Sequence, residues 1–204
     1  GTGKTPMTEY VLNLLRNKHT LATLSRGYGR TTSGYRDVTS DSKAVEVGDE
    51  PLQFAMKFPE VHVAVCERRV AGIDKLRLKK PEPEVVILDD VFQHRKVKPG
   101  FLIMLTAFND LFYEDLVLPA GNLRESRSGA ERAHAIIVTK CPADLSLEAQ
   151  KRIAEKISAY AEAKVFFSTI AYGELYDDTQ KIDWLQLTDQ KISVVTGIAK
   201  PEPF

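Results

Sequence analysis

Short runs of apolar, largely β-branched residues alternate along this chain with longer stretches of helical periodicity. His19–Leu24, Val61–Val65, Val85–Leu88, Phe101–Leu105, Ala135–Val138, Val165–Ile170 and Ile192–Val195 read as strands. Most are continuously apolar, the pattern of strands buried on both faces of a parallel sheet. Between them, Pro51–Lys57, Arg68–Leu78 and Leu145–Ala161 carry apolar positions at helical spacing, and Ser146 is placed to cap the last. Another helix follows Pro6, with Met7, Tyr10, Val11, Leu14 and Leu15 as the face expected to dock on a sheet. Alternating strand and helix predicts the α/β class: a three-layer fold around a mostly parallel, doubly wound sheet. Tyr172–Leu187 alternates apolar and polar residues around Asp177-Asp178-Thr179-Gln180, which predicts a two-stranded hairpin. The expected organisation is a core over 1–170, a hairpin linker over 171–190, and the start of a further part over 191–204.

Open α/β sheets bind ligands at the carboxyl ends of their strands, and those positions are polar here. After the first strand comes Ser25-Arg26-Gly27-Tyr28-Gly29-Arg30, after the third Asp89-Asp90-Val91-Phe92-Gln93-His94, and after the fifth Thr139-Lys140. The first residues, Gly1-Thr2-Gly3-Lys4-Thr5-Pro6, form the G-K-[ST] half of a phosphate-binding loop running into a helix. Glycines let backbone N–H groups approach phosphate, Lys4 can span the β- and γ-phosphates, and the Thr5 hydroxyl can hold Mg²⁺. The first half of that motif, and the strand that feeds it, are expected upstream of Gly1, so the chain reads as a fragment cut at both ends. Val85–Leu88 followed by two carboxylates is the pattern of a strand whose Asp reaches Mg²⁺ directly or through water. Together the two motifs predict a P-loop NTPase-like core with ATP and Mg²⁺ as ligands. Gly48-Asp49-Glu50-Pro51 opens a helix, where Asp49 is either an N-cap or a carboxylate positioned to accept a proton.

Composition removes several classes. With 28 basic and 28 acidic residues there is no electrostatic case for a nucleic-acid partner. Cys66 and Cys141 have neither zinc-ligand nor disulfide-framework spacing, which points to a reducing compartment. No run of 18 apolar residues suggests a membrane-spanning helix.

The ordered set G-T-G-K-T-P (1–6), L-S-R-G-Y-G-R (24–30), G-D-E-P (48–51), L-D-D-x-F-Q-H (88–94), L-P-A-G-x-L-R-E (118–125), V-T-K (138–140) and V-T-G-I-A-K-P (195–201) closely resembles the tetraacyldisaccharide 4′-kinase family. The resemblance spans the whole chain in order. It implies transfer of the ATP γ-phosphate to the 4′-hydroxyl of an acylated glucosamine disaccharide 1-phosphate. It also implies a bacterial setting, at the cytoplasmic face of the inner membrane, with a lipid substrate; no protein partner is inferred.

The roles it implies fall on residues already singled out. Gly1, Thr2, Gly3, Lys4, Thr5 and Pro6 are expected to hold the triphosphate. Thr5 and Asp90, with Asp89 and Glu50 as further candidates, are expected to hold Mg²⁺. Asp49 is the expected base, with Lys4 and Arg26 beside the transferring group. Arg30, Arg69, His94 and Arg124 are candidates for meeting substrate phosphate, since guanidinium forks match its oxygens; singly, each arginine reads more readily as a surface or ion-pair residue and His94 as a packed or capping one. Leu118–Arg124 is an apolar loop with a cation, suited to acyl chains or to plain packing. His19, His62 and His134 lie in or beside strands and are assigned no role.

Three departures accompany the match. Val91 replaces a usual Gly and is expected to disfavour a positive φ there. A hydrophobic N-terminal helix that engages the bilayer, and a C-terminal D-H-H segment whose His pairs with the G-D-E-P Asp, are not in this sequence. A fragment lacking them is expected to turn over poorly. The rival classes are a P-loop kinase of a soluble small molecule and a nucleotide-dependent switch or chaperone GTPase. Thr139-Lys140-Cys141-Pro142 argues against the latter, because a guanine-reading [NT]-K-x-D needs Asp at position 142.

Overall fold

Leu21–Ser25 (β1) is buried at every position, which requires neighbours on both edges and cover on both faces. It has them in a computed structural model that describes residues 2–94, 96–171, 173–176, 180–183, 188 and 191. β1 pairs in parallel with His62–Val65 (β3) on one side and Val85–Leu88 (β4) on the other. Arg36–Val38 (β2) closes the outer edge, antiparallel to β3, giving the order β2-β3-β1-β4. The apolar pattern gave no sign of β2. Only Val38 of its three residues is buried, and charged Arg36 and Asp37 suit an exposed edge.

Ile103–Ala107 (β5), Ala135–Thr139 (β6) and Lys164–Phe167 (β7) form a second parallel sheet in the order β5-β6-β7. The α/β, mostly parallel architecture is as expected, but among the described residues the strands fall into two blocks rather than one sheet. Leu175–Tyr176 (β8) and Lys181–Ile182 (β9) pair antiparallel, as the predicted hairpin requires. The expected strand at Ile192–Val195, with the rest of 192–204, lies outside the described residues.

Helices cover both faces of the first sheet. Lys4–Leu15 (α1) and Asp49–Lys57 (α3) lie over one face, where Leu12, Phe54 and Phe58 pack with Leu21, Val63 and Val65. Arg69–Leu76 (α4) covers the other, packing Leu76 against Ala22, Leu24 and Ala64. Leu147–Ser158 (α5) buries Ile153 and Ile157 against Ile136 and Val138 of the second sheet. Its N-cap is Ser146, whose hydroxyl accepts from the Ala149 N–H at 3.2 Å, as expected. A four-residue helix, Ala44–Val47 (α2), precedes α3.

Boundaries moved for local reasons. His19 belongs to the closing turn of α1, its N–H bonded to the Leu15 carbonyl, so β1 starts two residues later than predicted. The face of α1 also differs from the predicted one. Thr8 and Leu12 are buried, whereas Tyr10 and Leu14 are 63% and 57% exposed. Leu12 fell outside the predicted spacing yet is the residue that seals the core. No helix of the described residues is long and apolar enough to cross a membrane.

Candidate active site

Gly3 has φ 82° and ψ 32°, the left-handed conformation that glycine adopts without a Cβ penalty. It is the N-cap of α1 but supplies no side-chain acceptor, and nothing lies within 4 Å of where a Cβ would stand. The start of α1 thus has no side-chain cap, and the positive end of its helix dipole suits phosphate. The loop is fixed from behind: the Thr139 hydroxyl, at the carboxyl end of β6, donates to the Thr2 carbonyl at 2.8 Å. Gly1 lies outside the described residues.

Two further loops meet this one. The Thr5 hydroxyl donates to Glu50 Oε1 at 2.6 Å, joining the start of α1 to the start of α3. Lys4 Nζ lies 3.6 Å from Asp90 Oδ1, and Arg124 Nη1 donates to Asp90 Oδ2 at 3.4 Å. Asp90 thus sits between two cations on different loops. Its φ of 50° is uncommon for a residue with a Cβ and marks a constrained turn at the end of β4. Val91 has no positive φ; the left-handed residue in this turn is Asp90, so a β-branched side chain is accommodated.

Asp89 is half-buried beside them. Burial first, then the neighbouring Glu50 and Asp90 carboxylates, push its carboxyl above the ordinary aspartate range, while Lys4 opposes them. Asp49 is the first residue of α3, and the N-cap is Gly48, which removes the capping explanation for this carboxylate. The Asp49 side chain is exposed. Gly48, at φ 94°, presses on the 26–30 loop: a Cβ there would meet the Tyr28 carbonyl oxygen at 3.1 Å and Gly27 Cα at 3.3 Å.

The candidate cations divide by burial. Arg124 and Arg26 are exposed at the site rim. Arg30 is turned inward, donating to Glu67 Oε1 at 2.5 Å and to the Gly34 carbonyl at 2.8 Å. Arg69 is 3% exposed and donates to the carbonyls of Cys66 (2.5 Å) and Asp89 (3.3 Å). Arg30 and Arg69 are thus anchored to backbone and to Glu67, while Arg30 Nη1 and Arg69 Nε stay buried without a hydrogen-bond partner among the described residues. His94 holds Nδ1 buried without a hydrogen-bond partner among the described residues. Arg132, which sequence reasoning passed over, clips two site loops together: it donates to Glu125 Oε1 at 2.6 Å and to the Phe92 carbonyl at 3.1 Å, and stacks on the Phe92 ring. Glu67 was missed likewise, because an anchoring partner carries no motif of its own; Thr139 was singled out in the sequence, but not as the tether of the phosphate loop.

Oxygen donors from Thr5, Glu50, Asp89 and Asp90 suit a hard divalent cation. No three His, Cys, Asp or Glu side chains among the described residues close on one point. Mg²⁺ does not need such a cage, since it is bound through one or two carboxylates plus phosphate oxygens and water.

The helix start at Gly3, the acidic pair at the end of β4 and Glu50 at the start of α3 meet here. The family model for tetraacyldisaccharide-1-P 4′-kinase (LpxK) matches residues 1–204. The chain belongs to this family. It is 48% identical to the tetraacyldisaccharide 4′-kinase of Flavobacterium johnsoniae and 50% identical to that of Flavobacterium psychrophilum. Each match takes in 100% of this chain and 60% of the relative. The chain thus spans about three-fifths of the length of these curated relatives. Its fold matches a crystal structure of LpxK from Aquifex aeolicus, an "apo" form in complex with ATP. The TM-score is 0.61 at 28% identity, over 95% of this chain and 71% of that one.

Proposed function

We propose that the complete protein transfers the γ-phosphate of ATP to the 4′-hydroxyl of a tetraacyldisaccharide 1-phosphate, a lipid A precursor. The observation that carries this reading is the meeting of Lys4, Thr5, Glu50, Asp89 and Asp90 at the start of α1 in a chain of this family. In this reading the Gly1–Pro6 loop and the first N–H groups of α1 hold the triphosphate, and Lys4 leaves Asp90 to meet the β- and γ-oxygens. Thr5, Asp90 and one of Asp89 and Glu50 hold Mg²⁺, which supplies charge neutralisation at the transferring group. Asp49, exposed at the start of α3, takes the proton of the 4′-hydroxyl as that oxygen attacks.

Arg124 and Arg26 are the exposed cations that meet substrate or transition-state phosphate, with His94 behind them. Arg69 and Arg30 serve at one remove, by fixing the Asp89 carbonyl and the 26–34 loop. In this reading the reaction runs at the cytoplasmic face of the inner membrane, where a lipid acceptor and ATP can meet, and the acceptor alcohol makes the enzyme a phosphotransferase.

The test is a two-way substrate panel with the full-length protein: ATP against GTP as donor, and the lipid disaccharide 1-phosphate against soluble sugars as acceptor. Transfer from ATP to the lipid, with ³¹P NMR placing the new phosphate on the 4′-oxygen, is the expected result. Transfer to a soluble acceptor, or GTP hydrolysis without transfer, would replace the proposal with one of its rivals.

A further inference from the structure

Arg132 ends a short 3₁₀ helix, Arg127–Arg132, and spends its three guanidinium nitrogens on three different partners. Nε donates to the Gly129 carbonyl of its own turn at 3.1 Å, Nη1 to the Phe92 carbonyl at 3.1 Å, and Nη2 to Glu125 Oε1 at 2.6 Å. The guanidinium carbon stands 4.6 Å from the centre of the Phe92 ring, so the fork is stacked as well as bonded. Glu125 is seated from other sides too. Gln93 Nε2 donates to the same Oε1 at 3.3 Å, and the carboxyl group lies so close over Gly129 that a Cβ there would stand 3.0 Å from its carbon.

Both arms of this fork end beside the candidate reacting groups. Phe92 is two residues beyond Asp90, in the turn that follows β4, and Glu125 directly follows Arg124. Asp90 and Arg124 are themselves 3.4 Å apart, but with their side chains 46% and 63% exposed that contact is too open to water to fix two loops by itself. The fork holds the loops from behind. Its footing is the second sheet: Ala130 and Ala133, either side of Arg132 in sequence, belong to the core that Ile136 and Val138 build, and Phe92 packs on the same core.

We infer that Arg132 is a positioning residue for phosphoryl transfer: by holding Phe92 and Glu125 on one fork it sets the separation of Asp90 and Arg124, and so presents the Arg124 guanidinium to substrate phosphate. The brace stands on the geometry alone, whereas its consequence for Arg124 rests on the reaction proposed above. Lysine cannot replace it. An ammonium is a point charge without the planar fork that reaches a carbonyl on one loop and a carboxylate on another. A misplacement of about 1 Å costs on the order of a hundredfold in rate, even when the residue responsible bonds only to protein groups.

Two measurements on the full-length protein test this. The first is amide exchange, without nucleotide or lipid, at His94, whose N–H closes its turn on the Val91 carbonyl at 2.7 Å. In Arg132→Met, which keeps the apolar stem, this amide is expected to exchange about tenfold faster or more, with the β1 amides unchanged. An unchanged His94 amide would overturn the brace. The second is a double-mutant cycle on kcat for transfer from ATP to the lipid disaccharide. Arg132→Met and Arg132→Lys are each expected to lower kcat about tenfold or more, with KM for ATP within about twofold of the wild type. In an Arg124→Ala background, Arg132→Met is expected to cost less than about twofold further, because it acts through Arg124. Should Arg132→Met not fold, Arg132→Lys carries both measurements. An equal loss in the two backgrounds would make Arg132 a merely structural residue, and wild-type kcat in Arg132→Lys would mean that charge alone suffices; either would overturn the inference. Absence of transfer by the wild type is a separate failure: it would remove the proposed reaction, and this role with it, whatever the exchange rates show.

Discussion

Asp49 carries the sharpest question at the level of single residues. Gly48 takes the N-cap of α3, which leaves the Asp49 carboxylate the favourable helix dipole of the first turn as its structural role. Asp49→Asn in the full-length protein is expected to lower kcat by about a hundredfold or more, with KM for both substrates and Tm nearly unchanged. Normal kcat would remove Asp49 as the base. Asp89 behaves in the opposite sense. Its carboxyl holds a proton more tightly in the folded than in the unfolded chain, because burial and two neighbouring carboxylates oppose its charge. The stability linked to that proton is fully present below the unfolded value of about 3.9 and is lost as pH rises through the higher folded value. At pH 7 the ionised group therefore opposes folding. Asp89→Asn is expected to raise Tm at pH 7 and to lose that advantage at pH 4, while turnover falls; an unchanged Tm at both pH values would contradict this assignment.

Among the elements, the contact between two glycine loops does most to shape the site. Gly48 stands at φ 94° with the Tyr28 carbonyl where a Cβ would point, so Gly48→Ala strains the backbone and pushes the 26–30 loop away. Thermal unfolding should show a loss of about 1–3 kcal/mol, and turnover should fall with it. Wild-type values for both would mean that the two loops move independently. The strands that pack on both faces were legible because four or five consecutive apolar residues admit few other readings. β2 was not, since one buried valine between charged neighbours leaves no periodic signal. The face of α1 was only partly legible: Tyr10 and Leu14 follow the right spacing, but tertiary packing turned the stripe toward Thr8 and Leu12. At the site, the glycine loop and the acidic pair announced themselves, whereas burial, which turns Arg30 and Arg69 from candidate ligands into backbone anchors, is a property that only the fold assigns.

At the scale of the molecule, every parallel strand of both blocks points its carboxyl end at the same edge, and the candidate groups converge there from β1, β4 and β6 and the starts of α1 and α3. Such convergence has chemical meaning only if the groups act on one phosphate. The most direct measurement is transfer of ³²P from [γ-³²P]ATP to tetraacyldisaccharide 1-phosphate by full-length wild-type protein and by Lys4→Ala. Loss of the Lys4 ammonium removes a contact to the transferring group, and the account predicts labelled lipid from the wild type with kcat lower by about a hundredfold or more in the variant. Equal transfer by both proteins, or no labelled lipid from the wild type, would contradict it.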